Sequence, residues 1–144
     1  MIDERIQILL VEDNAADVRL LREAMRDAQS LNDIHVATDG EQALVTMREG
    51  PGHASTTSRF DLVLLDLNLP RKGGLEVLAE IRRDPMLSLT PVIILTTSGA
   101  ETDVRSAYGL GANCFVVKPV DFGNFRKVIV AIDQFWLGVA RLPG

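Results

Sequence analysis

Four short apolar runs of the sequence each end in residues that could take part in chemistry. Glu12 and Asp13 follow one run, and Asp66, Thr96 and Lys118 each follow another. Three carboxylates close together repel one another unless a cation lies among them, and oxygen ligands of this kind suit Mg²⁺. Lys118 adds a positive charge, and the Thr96 hydroxyl can donate a hydrogen bond to an anion. A metal ion, a cation and a carboxylate nucleophile together make up a phosphoryl-transfer site.

Each of these residues also has an ordinary structural interpretation. Glu12 and Asp13 precede a predicted helix and could cap it, Thr96 is a common residue at a strand end, and a lone Lys118 is usually solvated. Asp66 is harder to explain in this way, because it lies between two leucines and a carboxylate in an apolar strand is costly unless it is paired. The occurrence of these groups at the ends of four different strands favours the functional interpretation.

The elements that must position these residues alternate along the chain. Apolar runs predict strands, and apolar residues at helical spacing predict helices. Residues 50–59 are rich in Gly, Ser and Thr and predict a surface loop, in which His53 is solvated. The predicted strands are 6–11, 34–37, 60–67, 92–95 and 114–117, and the predicted helices are 14–28, 41–49, 74–83, 102–110 and 122–139. This alternation predicts a doubly wound α/β fold whose parallel strands end at one common edge.

Length, composition and charge set limits on the class of protein. The 144 residues predict one domain over residues 1–144, and 47% hydrophobic residues can form a sizeable core. A net charge of −5 disfavours a nucleic-acid binder, which needs a basic surface. No apolar run is long enough to cross a bilayer, and the N-terminus does not resemble a signal peptide. The single cysteine, Cys114, fits a reducing compartment, so we expect a cytoplasmic protein with no membrane contact.

At the strand-end residues the chain resembles a response-regulator receiver domain of two-component signalling. The matching segments are ILLVEDN at 8–14, DLVLLDLNLP at 61–70 with Gly73 and Gly74 behind it, PVIILTTS at 91–98 and GANCFVVKPV at 111–120. The resemblance covers residues 6–135. It implies a flavodoxin-like sheet of five parallel strands in the order 2-1-3-4-5, with five helices. It also implies a switch that accepts a phosphoryl group from a sensor histidine kinase.

The resemblance assigns a metal and phosphoryl site to four of the matched residues. Asp66 corresponds to the phosphoacceptor. Asp66 and Asp13 correspond to direct Mg²⁺ ligands, Asn68 to a ligand through its backbone carbonyl, and Glu12 to a ligand through water. The cofactor that follows from the resemblance is therefore Mg²⁺.

The resemblance also assigns the residues that contact the phosphoryl group or move in response to it. Lys118 contacts and stabilises its oxygens, and the bond from Lys118 to Pro119 is typically cis in the family. Thr96 is the switch hydroxyl, and Phe115 is the switch aromatic that rotates inward after phosphorylation. The surface formed by the fourth helix, the fifth strand and the fifth helix then changes, and the signal passes to a downstream protein by contact.

A closer resemblance is to small stand-alone regulators that pair with bacterial phytochrome kinases. The features that carry it are the loop at 50–59, the LTTS at 95–98 and the ending FWL at 135–137 with Leu142 and Pro143. A phytochrome-type sensor kinase is therefore the expected partner, and no DNA-binding output segment is expected.

The last predicted helix has more apolar surface than one contact with a sheet requires. Val128, Phe135 and Val139 form a face beside the stripe that we assign to the sheet, which contains Phe125, Ile129, Ile132 and Trp136. We expect a homodimer through this second face. The alternative is that the tail at 140–144 covers it.

Two other functions use related chemistry or topology. A small phosphatase that forms an aspartyl phosphate would carry an acid two residues after its nucleophile, but Asn68 stands there. A flavin-binding module would need a phosphate-binding loop after the first strand, where Glu12 and Asp13 would repel phosphate. A switch that passes the signal by protein contact, rather than an enzyme with a released product, is the prediction that remains.

Overall fold

The computed structural model describes residues 5–28, 30–52 and 59–143. Strands and helices alternate through these ranges. The strands are β1 (Ile6–Val11), β2 (Asn32–Ala37), β3 (Leu62–Leu65), β4 (Val92–Thr96) and β5 (Cys114–Val117). The helices are α1 (Ala15–Arg26), α2 (Gly40–Glu49), α3 (Gly74–Arg83), α4 (Glu101–Gly109) and α5 (Phe122–Ile132), and a π-helical segment (Asp133–Val139) continues α5.

The five strands form one parallel sheet in the order β2-β1-β3-β4-β5. This order confirms the flavodoxin-like fold expected from the sequence. The direction of chain crossover changes between β1 and β3, and in open α/β sheets such a point marks the ligand-binding crevice at the carboxyl ends of the strands.

Two apolar layers cover the sheet, because alternate residues of a strand point to opposite faces. Leu9 and Leu65 face the layer that contains α2, α3 and Ala107 of α4. Ile8 and Leu64 face the layer that contains α1 and α5. All four side chains are at most 1% exposed, so the strands are rigid supports for the residues that follow them.

Side-chain caps mark the start of three helices. The Asn14 side chain accepts a hydrogen bond from the Asp17 amide, Asp39 caps α2 and Asp121 caps α5 in the same way. The cap at Asn14 begins α1 immediately after Glu12 and Asp13. None of the helices within the described ranges has the length and apolar character that crossing a membrane requires.

The structure differs from the sequence predictions at several element ends. β2 begins at Asn32 rather than at residue 34, α1 spans Ala15–Arg26 rather than 14–28, and β3 ends at Leu65 rather than at residue 67. The bounds of α2, β4 and α4 differ from the prediction by one residue.

β3 begins at Leu62 rather than at residue 60, because the Asp61 carboxylate accepts a hydrogen bond of 2.8 Å from the Gln7 amide. The last helix does not run to residue 139 as an α-helix, since its final seven residues are π-helical. The described residues contain no cis peptide bond, so Lys118–Pro119 is trans. An X–Pro bond favours trans by only about 0.5–1 kcal/mol, so its surroundings decide the isomer.

Candidate functional site

The end of β1 brings one buried and one exposed carboxylate to the edge of the sheet. Glu12 is 3% exposed, whereas the Asp13 side chain is open to solvent. The Glu12 amide donates to the Ala37 carbonyl at 2.9 Å, which continues the pairing of β1 with β2. The Asn14 amide donates to Oε2 of Glu12 at 3.2 Å, so this carboxylate has a fixed orientation.

Asp66 follows the last residue of β3 and is 6% exposed. Its amide donates to the Val11 carbonyl at 3.0 Å, and its Oδ1 accepts from the Asn68 amide at 3.1 Å. α3 begins against this turn at Gly74, where a Cβ atom would lie 2.4 Å from the Asp66 carbonyl oxygen. The absence of a side chain at Gly74 therefore allows the tight turn that positions Asp66.

Lys118 reaches the site from the end of β5, the edge strand of the sheet. Its amide donates to the Thr96 carbonyl at 2.7 Å, directly after β5. Its side chain is 4% exposed, and the ammonium donates to Glu12, to Oδ2 of Asp17 at 3.0 Å and to Oδ2 of Asp66 at 3.2 Å. Carboxylates from three separate segments therefore surround one buried cation.

Of the predicted switch residues, Thr96 lies next to this cluster, and Phe115 lies on the neighbouring strand β5. Thr96 is fully buried, and its hydroxyl accepts from Nδ2 of Asn68 at 3.4 Å. Phe115 is half-buried and packs against the apolar layer that contains α2 and α3. The Phe115 amide donates to the hydroxyl of Tyr108 at 3.0 Å, which links β5 to α4.

For each ionisable group of the cluster, burial and pairing with opposite charges shift the pKa in opposite directions. Burial raises the pKa of Glu12 from 4.5 to about 7, although Lys118 partly offsets this effect. Burial would also raise the pKa of Asp66, but hydrogen bonds from the Asn68 amide and Thr96, together with the Lys118 charge, hold that pKa below its usual range. The pKa of Lys118 is raised, because its carboxylate partners outweigh the effect of burial. The arrangement therefore keeps Asp66 ionised at neutral pH.

The carboxylates of Glu12, Asp13 and Asp66 also form a set that fits a divalent cation. One oxygen of each lies within 4.8 Å of the others. Hard oxygen donors at the edge of a sheet, with one of them open to water, match the preference of Mg²⁺ for carboxylates and retained waters. The donor set therefore fits a metal of this class.

Asp17, which contacts Lys118 from the first turn of α1, was not among the predicted site residues. The predicted metal and phosphoryl residues follow strands, whereas Asp17 lies on a helix. Its place in the first turn of the helix that follows Glu12 and Asp13 was the available signal, and it does not by itself identify Lys118 as a partner.

The second apolar face of α5 is only partly exposed. Val128 packs against the core that contains α1, whereas Phe135 is 53% and Val139 76% exposed. Phe135 lines an apolar groove of about 380 Å³ together with Val116 of β5 and Trp136. The described tail residues do not cover Phe135 and Val139. His53 and Gly144 lie outside the described residues.

Comparison with known proteins gives a consistent result. Residues 8–130 match the family model described as the response regulator receiver domain. The chain is 40% identical over 136 residues to the response regulator Rcp1 of Synechocystis sp., which covers 94% of this chain and 92% of Rcp1.

Two solved structures are similar over nearly the whole chain. The phosphorylated cyanobacterial phytochrome response regulator RcpA superposes with a TM-score of 0.89 at 41% identity, covering 97% of this chain and 99% of RcpA. The Mn²⁺-bound form of Rcp1 gives a TM-score of 0.88 at 40% identity, covering 96% and 99%.

Proposed function

The chain belongs to the response regulator receiver domain family, and from this premise we propose that Asp66 is its phosphoacceptor in a two-component phosphorelay. The observation that carries the proposal is the meeting of Glu12, Asp66 and the Lys118 ammonium at the carboxyl edge of the sheet. Regulators of this family act as phosphorylation switches that use a divalent metal. We propose that residues 1–144 form a single receiver domain.

The chemistry is an in-line transfer of a phosphoryl group. A carboxylate oxygen of Asp66 forms a bond to phosphorus while the bond from phosphorus to a histidine nitrogen of the kinase breaks. The imidazole leaves with the electron pair of that bond, and the product is an acyl phosphate. The low pKa of Asp66 provides the ionised nucleophile, and Lys118 balances the charge on the phosphoryl oxygens.

A divalent metal ion bound beside Asp66 would complete this charge balance. We propose that Asp13, Asp66 and the backbone carbonyl of Asn68 hold it directly and that Glu12 holds it through water. Mg²⁺ is the proposed ion, because these donors are hard oxygens, and it supplies positive charge to the phosphoryl oxygens when bound.

Thr96 and Phe115 are the proposed switch. A phosphoryl group on Asp66 offers the Thr96 hydroxyl a stronger acceptor than its present environment does. Movement of this fully buried hydroxyl leaves space that the half-buried Phe115 ring can fill. This shift changes the surface formed by α4, β5 and α5, to which a downstream protein binds.

The proposed upstream partner is a sensor histidine kinase of the phytochrome type. The support is the similarity to RcpA, which is described as a cyanobacterial phytochrome response regulator. We place the exchange in the cytoplasm, because the free thiol of Cys114 fits a reducing compartment. No nucleic acid or membrane is part of the proposed function.

We also propose a homodimer through the second apolar face of α5 and of the π-helical segment that continues it. Exposed Phe135 and Val139 and the apolar groove beside β5 support it. Val128 contributes from the wall of that groove rather than from the exposed surface.

An aspartyl-phosphate phosphatase is not favoured by the family assignment. Such an enzyme needs an acid two residues after Asp66, but the amide side chain of Asn68 stands there and contacts Thr96. We propose that the chain is not an enzyme with a separate substrate, and hydrolysis of a chromogenic phosphate ester would contradict this.

The proposal is tested by labelling with a phosphohistidine kinase domain or acetyl phosphate in Mg²⁺. Wild-type protein should become labelled, and Asp66→Asn should abolish the label. Asp84→Asn, a change of the same kind away from the site, should leave labelling intact. Labelling that persists in Asp66→Asn would exclude Asp66 as the acceptor.

A further inference from the structure

A third carboxylate, that of Asp17, takes one of the three hydrogen bonds that Lys118 can donate. Oδ2 of Asp17 lies 3.0 Å from Nζ of Lys118, although 101 residues separate the two in the chain. The other two bonds go to Glu12 and Asp66. A lysine ammonium has three donors, so all of them are in use before any phosphoryl group arrives.

The three carboxylates differ in burial and in their hydrogen bonds to the backbone. The side chains of Glu12 and Asp66 are 3% and 8% exposed, and each also accepts a backbone amide. The Asp17 side chain is 26% exposed and belongs to a helix rather than to a strand end. Water can replace Lys118 as the partner of Asp17 at little cost, whereas release of a buried carboxylate is expensive. Of the two carboxylates that do not receive the phosphoryl group, Asp17 is therefore the one that Lys118 can exchange more easily.

On the basis of the proposed function, we propose that Asp17 is a positioning residue that competes with the phosphoryl group for Lys118 and so limits the affinity of the site for that group. Phosphorylation of Asp66 frees the bond that Lys118 makes to that carboxylate, but a second bond from Lys118 to the phosphoryl oxygens requires Asp17 or Glu12 to withdraw. The negative charge of Asp17 also remains near the incoming anion and repels it. Both effects favour the unphosphorylated state.

The position of Asp17 in α1 suggests a simpler role that must be separated from this one. Asp17 is the third residue of α1, where a negative charge stabilises the helix dipole. Glu76 is the third residue of α3 and is likewise an acid in the first turn, but it is exposed and lies outside the Lys118 cluster. Glu76→Gln is therefore a matched control.

The test is the binding of beryllofluoride, a phosphoryl mimic, to the full chain in Mg²⁺, followed by fluorine NMR. Asp17→Asn should bind it roughly three- to tenfold more tightly than wild type, because the competing charge is gone. Asp17→Glu keeps the carboxylate and should restore an affinity close to that of wild type. Glu76→Gln should match wild type. The gain in Asp17→Asn should shrink as salt concentration rises, which a purely structural effect would not do.

Equal or weaker binding by Asp17→Asn, with its circular dichroism unchanged, would overturn the inference. The same would follow if Glu76→Gln tightened binding equally, since the effect would then be general charge removal. If wild-type protein failed to bind beryllofluoride in Mg²⁺, the proposed function itself would fail. That outcome is distinct from binding by wild type that Asp17→Asn does not change.

Discussion

Nζ of Lys118 lies 3.2 Å from Oδ2 of Asp66, although the two residues are 52 positions apart. Their strands, β5 and β3, are separated in the sheet by β4, so the lysine reaches across the end of that strand. Thr96 stands at this end, and its carbonyl accepts the Lys118 amide. The sheet order thus brings the cation to the carboxylate that we propose as the phosphoacceptor.

Removal of the ammonium should destabilise the metal-free protein. Lys118→Met keeps the length of the side chain but leaves the buried carboxylates of Glu12 and Asp66 without their partner. We expect a loss of roughly 3 kcal/mol in the free energy of unfolding at pH 7, measured by urea denaturation in a chelator. Lys127→Met, at an exposed position of α5, should change it little. Equal losses in the two variants would contradict the proposed role of Lys118 as the shared counter-ion.

The metal-free protein should show a pH dependence of stability that arises from Glu12. Its pKa is about 7 in the folded state against 4.5 as the ordinary value, so between these values the folded state binds more protons than the unfolded state. The contribution of Glu12 to the free energy of unfolding is thus fully present below pH 4.5 and falls as pH rises towards 7, by up to about 1.4 kcal/mol per pH unit. The measurement is the difference between wild type and Glu12→Gln across this range in a chelator. A flat or rising difference would show that the Glu12 pKa is not raised.

A methyl group at Gly74 should disturb the phosphoacceptor. Its Cβ would lie 2.4 Å from the Asp66 carbonyl oxygen and 2.6 Å from Cα of Leu67, and both are backbone atoms. We expect Gly74→Ala to lose roughly 2 kcal/mol of stability and to bind beryllofluoride more weakly. Gly73→Ala is the matched control, because its Cβ would meet no atom closer than 3.9 Å. Similar effects of the two substitutions would show that the close approach of α3 does not position Asp66.

The proposed dimer should depend on the exposed end of the last helix. Phe135→Arg places a charge in the apolar groove beside β5 and should shift a dimer to monomer in light scattering at micromolar concentration. Val45→Arg changes another exposed apolar residue, on α2, and should leave the dimer intact. A wild-type protein that is monomeric at high concentration would contradict the homodimer.

Much of the fold could be predicted because the strands are short apolar runs between polar or turn-forming segments. Cys114–Val117 and Ile6–Val11 appear in the sequence as short apolar runs, and the structure has strands with the same bounds. The bounds of α3, Gly74–Arg83, also agree with the prediction, since Pro85 follows the helix closely. The π-helical end of α5 could not be predicted, because the apolar spacing from Phe125 onwards fits an ordinary α-helix.

The candidate site could be predicted where it lies on strand ends and not elsewhere. Glu12, Asp66 and Lys118 meet in the structure because parallel strands end at one edge, a relationship that alternation of strands and helices already implies. The contact of Asp17 with Lys118 depends on the angle at which α1 packs against the sheet. Sequence periodicity does not specify such a packing angle. The raised pKa of Glu12 likewise depends on the burial of its side chain, which the sequence does not specify.

The most direct test of the central claim is chemical trapping of the acyl phosphate. Phosphorylated protein is treated with borohydride, which reduces an aspartyl phosphate to homoserine, and its peptides are then sequenced by mass spectrometry. The proposed function predicts homoserine at position 66 and at no other position. Homoserine at another aspartate, or labelled protein without any homoserine, would contradict it.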